Sequence, residues 1–154
     1  CLWAQSPCPC CGPEYRQFDF WLGEWVVYEN GDLTGRNTIS LQQDSCILVE
    51  QWRSEKSDYT GTSINFYNAT DGSWHQTWVD NQGGHLMLTG GMNEKGHMEL
   101  SSDTIVQPSS GQRVHTIRWF PREDGTVRQH WKVLLVESDS TMVLFDGLYK
   151  RVQK

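Results

Sequence analysis

The sequence contains no apolar run approaching the ~18 consecutive residues of a membrane-spanning helix. Lysine and arginine are scarce, 13 against 19 acidic residues, for a net charge of −6. They form no stripe, so the clustered cationic surface that nucleic-acid binding requires is missing. A Gly-x-Ser-x-Gly elbow, a P-loop, a Rossmann fingerprint and His-Glu-x-x-His are also absent, which removes the common signatures of acyl transfer, nucleotide binding and zinc hydrolysis. His75, His85, His97, His115 and His130 show no i, i+4 pair and no His-x-His, and Cys-x-x-Cys-His does not occur. No 10–15-residue helical pattern separates the strand-like segments, which argues against a parallel α/β sheet.

Aromatic residues are what the chain has in quantity: eight Trp, five Tyr and five Phe. They carry large buried areas and can build a core in a single small domain. Residues 1–12 form a Cys/Pro/Gly arm without periodicity, and residues 13–154 form the domain. Pro13 to Leu22 is predicted as a short helix, with Pro13 at its first position, Glu14 in its first turn and Gly23 as its stop. Strands are predicted at 24–29, 35–42, 46–53, 61–68, 73–80, 84–90, 96–101, 113–120, 126–136 and 142–151. Asn30-Gly31-Asp32, Asp71-Gly72, Asn81-Gln82-Gly83-Gly84, Glu94-Lys95-Gly96 and Asp124-Gly125 mark turns, and 102–112 is the longest loop. Short antiparallel strands in such numbers predict an all-β fold, an up-and-down barrel of about eight to ten strands or a sandwich, and the barrel removes unpaired edges.

Several motifs occur in order: Phe18-Asp19-Phe20-Trp21-Leu22-Gly23-Glu24-Trp25, Gly61-Thr62-Ser63-Ile64-Asn65-Phe66-Tyr67, Trp74-His75-Gln76-Thr77-Trp78-Val79-Asp80, Val127-Arg128-Gln129 and Phe145-Asp146-Gly147-Leu148-Tyr149. Together, over roughly residues 11 to 152, they resemble a family of small secreted bacterial proteins of unknown function whose expected fold is calycin-like, that is lipocalin-like. Gly23-Glu24-Trp25 is similar to the Gly-x-Trp that opens the first lipocalin strand. The resemblance implies an Arg from the last strand over that Trp, here Arg151 on Trp25. It also implies one Cys just before the aromatic helix and one near position 46.

Cys1, Cys8, Cys10, Cys11 and Cys46 make five cysteines, four within the first eleven residues. That density fits an oxidising compartment, so the protein is expected to be secreted, periplasmic or on the cell surface. Cys1–Ser6 reads either as the tail of a cleaved signal or as a mature end with a free or lipidated Cys1. The odd count leaves one thiol unpaired or linked to another chain. The simplest disulfide is Cys11 to Cys46, with Cys8 and Cys10 as candidate interchain links. Soft-metal binding by the thiolates is the competing reading.

Period two puts Leu48, Glu50 and Trp52 on one face, with Ser63, Asn65 and Tyr67, and Trp74, Gln76, Trp78 and Asp80, on others. Pointed inward, they give a polar, Trp-lined lumen whose expected ligand-binding residues are Glu50, Trp52, Asn65, Tyr67, Gln76, Trp78, His115 and Trp131. Burial would raise the Glu50 pKa. The same residues could instead form a closed hydrogen-bond network that serves the fold alone. A slip of one residue would bury Ile64 and Phe66 in their place. The leading expectation is a binding barrel for an unknown small, partly polar molecule. A subunit of an extracellular assembly, self-associating through the arm, is the second, and an acid–base enzyme using Glu50 with Tyr67 or Asp80 is the third. No cofactor or metal site is predicted, although His115 is the candidate ligand should the barrel hold haem.

Overall fold

A computed structural model of the chain describes residues 8–153. The readings made for Cys1–Ser6 lie outside them. The strands are β1 (Gly23–Glu29), β2 (Asp32–Gln42), β3 (Ile47–Ser54), β4 (Thr60–Asn68), β5 (Ser73–Asp80), β6 (His85–Met92), β7 (Met98–Ser101), β8 (Ile105–Gln107), β9 (Gly111–Pro121), β10 (Val127–Leu135) and β11 (Ser140–Arg151). Ten of them pair antiparallel with their neighbours in an up-and-down order. The β1–β11 ladder, Trp25 opposite Arg151 through Tyr28 opposite Leu148, closes the ring. All-β closure therefore matches the sequence reading. The tight β1–β2 hairpin turns on Asn30 (φ 51°) and Gly31 (φ 88°), the left-handed pair of a type I′ turn.

The expected short helix ahead of β1 is present, as two 3-10 turns, Pro13–Arg16 and Asp19–Trp21. Two other expectations, the long loop and the disulfide pairing, are corrected. A 3-10 turn places residues i and i+3 over one another. That spacing aims Phe18 and Trp21, both fully buried, into the barrel as a stacked pair 5.0 Å apart. The long loop at 102–112 contains β8, a three-residue strand that pairs only with the start of β9. The disulfides are Cys8–Cys11 and Cys10–Cys46, not Cys11–Cys46. The Cys11 N–H bonds to the Cys8 carbonyl in a tight turn, which brings Cys8 and Cys11 to a Cα separation of 5.4 Å. The same turn directs buried Cys10 at Cys46, 5.0 Å away, within the bridging range. Cys8 and Cys10, expected as interchain links, are thus used within the chain. All four of these thiols are oxidised and so are not thiolate ligands for a soft metal.

Phe18 and Trp21 fill one end of the barrel. Phe18 meets Trp74 and Trp119 edge-on at 5.6 and 5.0 Å. The Trp25 indole N–H donates to the Trp21 carbonyl at 2.8 Å, and Trp74 donates to the Gln17 side chain at 3.1 Å. The Arg151 guanidinium lies 4.4 Å from the Trp25 ring centroid and donates to the Leu22 carbonyl at 2.9 Å. A cation over an indole contributes about 0.5–2 kcal/mol. Here it also latches the last strand to the plug. Gly23, at φ +127°, leaves the space that Arg151 occupies.

Candidate functional site

β1 leaves the plug and ends at Glu29, at the opposite end of the barrel, and the strands alternate from there. Beyond the plug the lumen holds a cavity of about 240 Å³. Its walls include Trp52, Tyr59, Trp78, Trp131 and Phe145, and its polar lining includes Glu29, Glu50, Gln76, Gln129 and Tyr149.

Glycines decide how the wall is built. A Cβ on Gly35 would overlap the Trp52 indole, one on Gly61 the Trp78 indole, and one on Gly147 the Phe145 ring. Gly35 and Gly61 let the Trp52 and Trp78 rings lie flat on the neighbouring strand, and Gly147 lets the Phe145 ring lie back along its own strand, β11, which keeps the middle of the lumen open. Trp52 and Phe145 then meet edge-on at 5.9 Å. The β10–β11 ladder shifts register between Trp131 and Lys132, at the level of the cavity. Bulges at such positions re-aim side chains. The Trp131 indole N–H is held by His115 Nδ1 at 3.1 Å.

Under the walls lies a continuous hydrogen-bond network. Glu50 is buried, at 4% exposure. One of its oxygens accepts from Asn37 Nδ2 at 2.7 Å and the other from the Ser63 hydroxyl at 2.6 Å. Asn37 Nδ2 also donates to the Tyr149 hydroxyl at 3.2 Å, and Tyr149 donates to Gln129 Oε1 at 2.5 Å. On the other side, Asn65 Nδ2 donates to Ser63 at 2.8 Å and to the Leu48 carbonyl at 3.2 Å. Gln76 Nε2 donates to Asn65 Oδ1 at 2.7 Å and more weakly to Ser63 at 3.4 Å. The Leu48 carbonyl and the ionised Glu50 carboxylate can only accept, and they fix the amide orientations of Asn37, Asn65 and, through Asn65 Oδ1, Gln76. Asn37 Oδ1 is buried without a partner among the described residues.

Burial pushes the Glu50 carboxyl up to about 6, outweighing the bonds from Ser63 and Asn37 that favour the ionised form. Burial next to the Glu50 charge also raises Tyr149 well above its usual value. Tyr59 rises to about 12, first through burial and then through its bond to Asp80. His115 is lowered by burial and by Arg113.

The Glu50 shift predicts a pH signature. Folded Glu50 takes a proton more readily than its ordinary 4.5. Its contribution to stability is therefore fully present below 4.5 and is lost as pH rises through about 6. At ~1.4 kcal/mol per unit, the loss is about 2 kcal/mol. His115 and His130, both lowered by burial, run the other way, since their contribution is lost as pH falls. The readout is consequently the difference between the protein and its Glu50→Gln variant in chemical denaturation. The protein is expected to lose about 2 kcal/mol relative to the variant between pH 4.5 and 7. A constant difference across that range would remove Glu50 as the buried titrating group.

The inward register holds: Ser63, Asn65 and Gln76 are buried, whereas Ile64 is 45% exposed. Of the expected binding residues, Glu50, Trp52, Gln76, Trp78 and Trp131 line the cavity. Asn65 lies in the network beneath it. Tyr67 does not line it; the ring packs on Tyr15 and Trp74 at the plugged end. His115 is outside the lining as well and serves Trp131, its Nδ1 occupied by the indole N–H. Asp80 accepts from the Gln82 and Gly84 N–H groups and from Tyr59, closing its turn. The acid–base partners expected for Glu50 are thus engaged elsewhere. The expected network and the expected cavity are both present, one forming the floor of the other.

Sequence reading missed Glu29, Tyr59, Gln129, Phe145 and Tyr149. Glu29 shares parity with Trp25 and Val27, Gln129 with Val127 and Trp131, and Phe145 and Tyr149 with each other, so the signal was present in four of the five. Tyr59 lies just outside β4, where period two says nothing. Among the described residues no group of three or more His, Cys, Asp or Glu side chains is placed to hold a metal ion, and no helix is long and apolar enough to cross a membrane. Compared with known protein families and with curated proteins, the chain matches none.

Proposed function

We propose that this protein is an exported binding barrel, secreted or periplasmic, that holds one small molecule with a flat apolar body and a polar head. The observation that carries the reading is the division of the cavity, aromatic walls standing on a hydrogen-bonded polar floor. Ligand sites are predominantly apolar with a few placed polar groups that fix orientation. At about 240 Å³ the cavity is smaller than the ~300–1,000 Å³ of sites for drug-sized ligands, which favours a compact occupant. Two disulfides support an oxidising compartment.

The test is a titration with 2-phenylethanol, followed by the indole N–H resonances. Shifts are expected at Trp52, Trp78 and Trp131, while Trp21, Trp25 and Trp119 in the plugged half stay put. Gly61→Val should force the Trp78 ring off β4 and into the lumen. Overpacking of this kind costs about 1–3 kcal/mol; taken from the binding free energy, that is about 5- to 150-fold weaker binding. Uniform shifts at all six indoles, or unchanged affinity in Gly61→Val, would defeat the proposal.

A further inference from the structure

We infer that the cavity selects an organic cation, a primary or substituted ammonium carried on a small aromatic or aliphatic body. The inference rests on the binding reading above and names the chemical class of that ligand. Three independent features of the site converge on it.

The first is the sign of the charge. Glu29 and Glu50 both line the cavity, and no lysine or arginine does. The second is the use of hydrogen atoms in the floor. Asn37 Nδ2 donates to Glu50 and Tyr149; Asn65 Nδ2 donates to Leu48 and Ser63; Gln76 Nε2 donates to Asn65 and Ser63. The hydroxyls of Ser63 and Tyr149 are likewise directed at Glu50 and Gln129. Every donor in the floor is committed except Gln129 Nε2. What the floor still offers is acceptor capacity: the remaining lone pairs of Glu50 and the Oε1 end of Gln76. An anionic head would meet a carboxylate and almost no free donor, whereas an ammonium meets the complement of its own N–H groups. The third feature is the wall. Trp52, Trp78, Trp131, Tyr59 and Phe145 present ring surfaces, and a ring face attracts a cation, more strongly when both are desolvated. The glycines behind Trp52, Trp78 and Phe145 leave the space in which those rings lie flat.

The chemistry also explains the lone carboxylate. A buried charge with no counter-charge is costly, and one expects a partner for it. An ammonium above Glu50 supplies that partner and would hold the carboxyl ionised at a pH where the empty site is largely protonated.

Three probes of similar shape test the inference: 2-phenylethylammonium, 2-phenylethanol and 3-phenylpropanoate, titrated calorimetrically and by indole N–H shifts at pH 7.5 and pH 5. At pH 7.5 the ammonium is expected to bind at least tenfold more tightly than the alcohol, with the carboxylate weakest. The preference should shrink toward one in Glu50→Gln, and less in Glu29→Gln at the rim. It should also shrink on acidification, since Glu50 protonates through about 6 while an alkylammonium stays charged. The other titratable groups facing this region are Glu29, Tyr59, Tyr149 and, behind Trp131, His115. The tyrosines stay neutral throughout. Protonating His115 would act in the same direction as protonating Glu50, so protein and Glu50→Gln are compared at each pH. Should Glu50→Gln fail to give a native spectrum, the pH series on the unmodified protein and on Glu29→Gln decides. Equal binding of alcohol and ammonium, or a preference for the carboxylate, overturns the cation inference and leaves the binding barrel standing. No binding of any of the three removes both.

Discussion

Trp21→Ala is expected to lower the unfolding free energy by about 3–5 kcal/mol, as large-to-alanine changes of buried aromatics do. Trp21 is fully buried. Its ring stacks on Phe18 at 5.0 Å and meets Trp119 at 5.4 Å and Tyr149 at 6.4 Å. Removing it leaves a cavity that the closed barrel cannot collapse around, because the surrounding rings are fixed by strands on several sides. Its carbonyl accepts from the Trp25 indole, so any backbone movement at the plug also exposes a buried donor. Chemical denaturation checks the value. A loss below ~1.5 kcal/mol would mean that the plug is a detachable cap instead of part of the core. The cavity lies on the far side of the polar floor, so affinity for 2-phenylethanol should change far less than stability does. A parallel loss of both would show that plug and pocket are one cooperative unit.

That separation of plug from pocket was only half legible in the sequence. Strand positions came through because alternation and turn chemistry are local: Asn30-Gly31 names its own turn, and Glu50, Ser63 and Gln76 declare their face through their neighbours Leu48, Asn65 and Trp74. The Glu50, Ser63, Asn65 and Gln76 half of the polar floor followed from parity with the polar face turned inward; the Asn37, Gln129 and Tyr149 half did not. What did not follow depends on three-dimensional neighbours. Nothing local says that Trp78 lies against Gly61 on the adjacent strand, that Tyr149 from the last strand reaches Asn37 from the second, or that Tyr67, on the right face, sits at the wrong height. Height along the barrel depends on stagger, which period two does not encode. The disulfide partner was misassigned for a related reason. Adjacent cysteines differ only in which one a tight turn points inward. The 3-10 geometry of the plug likewise depends on the pocket that receives Phe18 and Trp21.

The bridge that the sequence misassigned is expected to matter as much as the plug does. Cys10 and Cys46 are separated by 36 residues, and closing a loop of that length restricts the unfolded chain by about 4 kcal/mol. Cys8 and Cys11 are separated by only 3, for which the same relation gives about 2 kcal/mol. The Cys10→Ala/Cys46→Ala pair should therefore be destabilised roughly twice as much as the Cys8→Ala/Cys11→Ala pair. Equal losses, or the reverse order, would argue against this connectivity, as would recovery of a peptide linking Cys11 to Cys46 from a non-reducing digest. The longer bridge also acts on the folded barrel. It anchors the chain just ahead of the plug to the β2–β3 turn, where Arg16 also bonds the Ser45 carbonyl. Bridge and plug thus restrain one segment from its two ends. Trp21→Ala and loss of the Cys10–Cys46 bridge should not add as independent changes do. With the bridge intact, an unseated plug is held beside the barrel end that it left; without it, the segment can swing clear. Combined, the two changes should cost more than their sum, and native-state hydrogen exchange at residues 13–25 should show the plug opening separately from the β-sheet. Simple additivity would mean that the bridge acts on the unfolded chain alone.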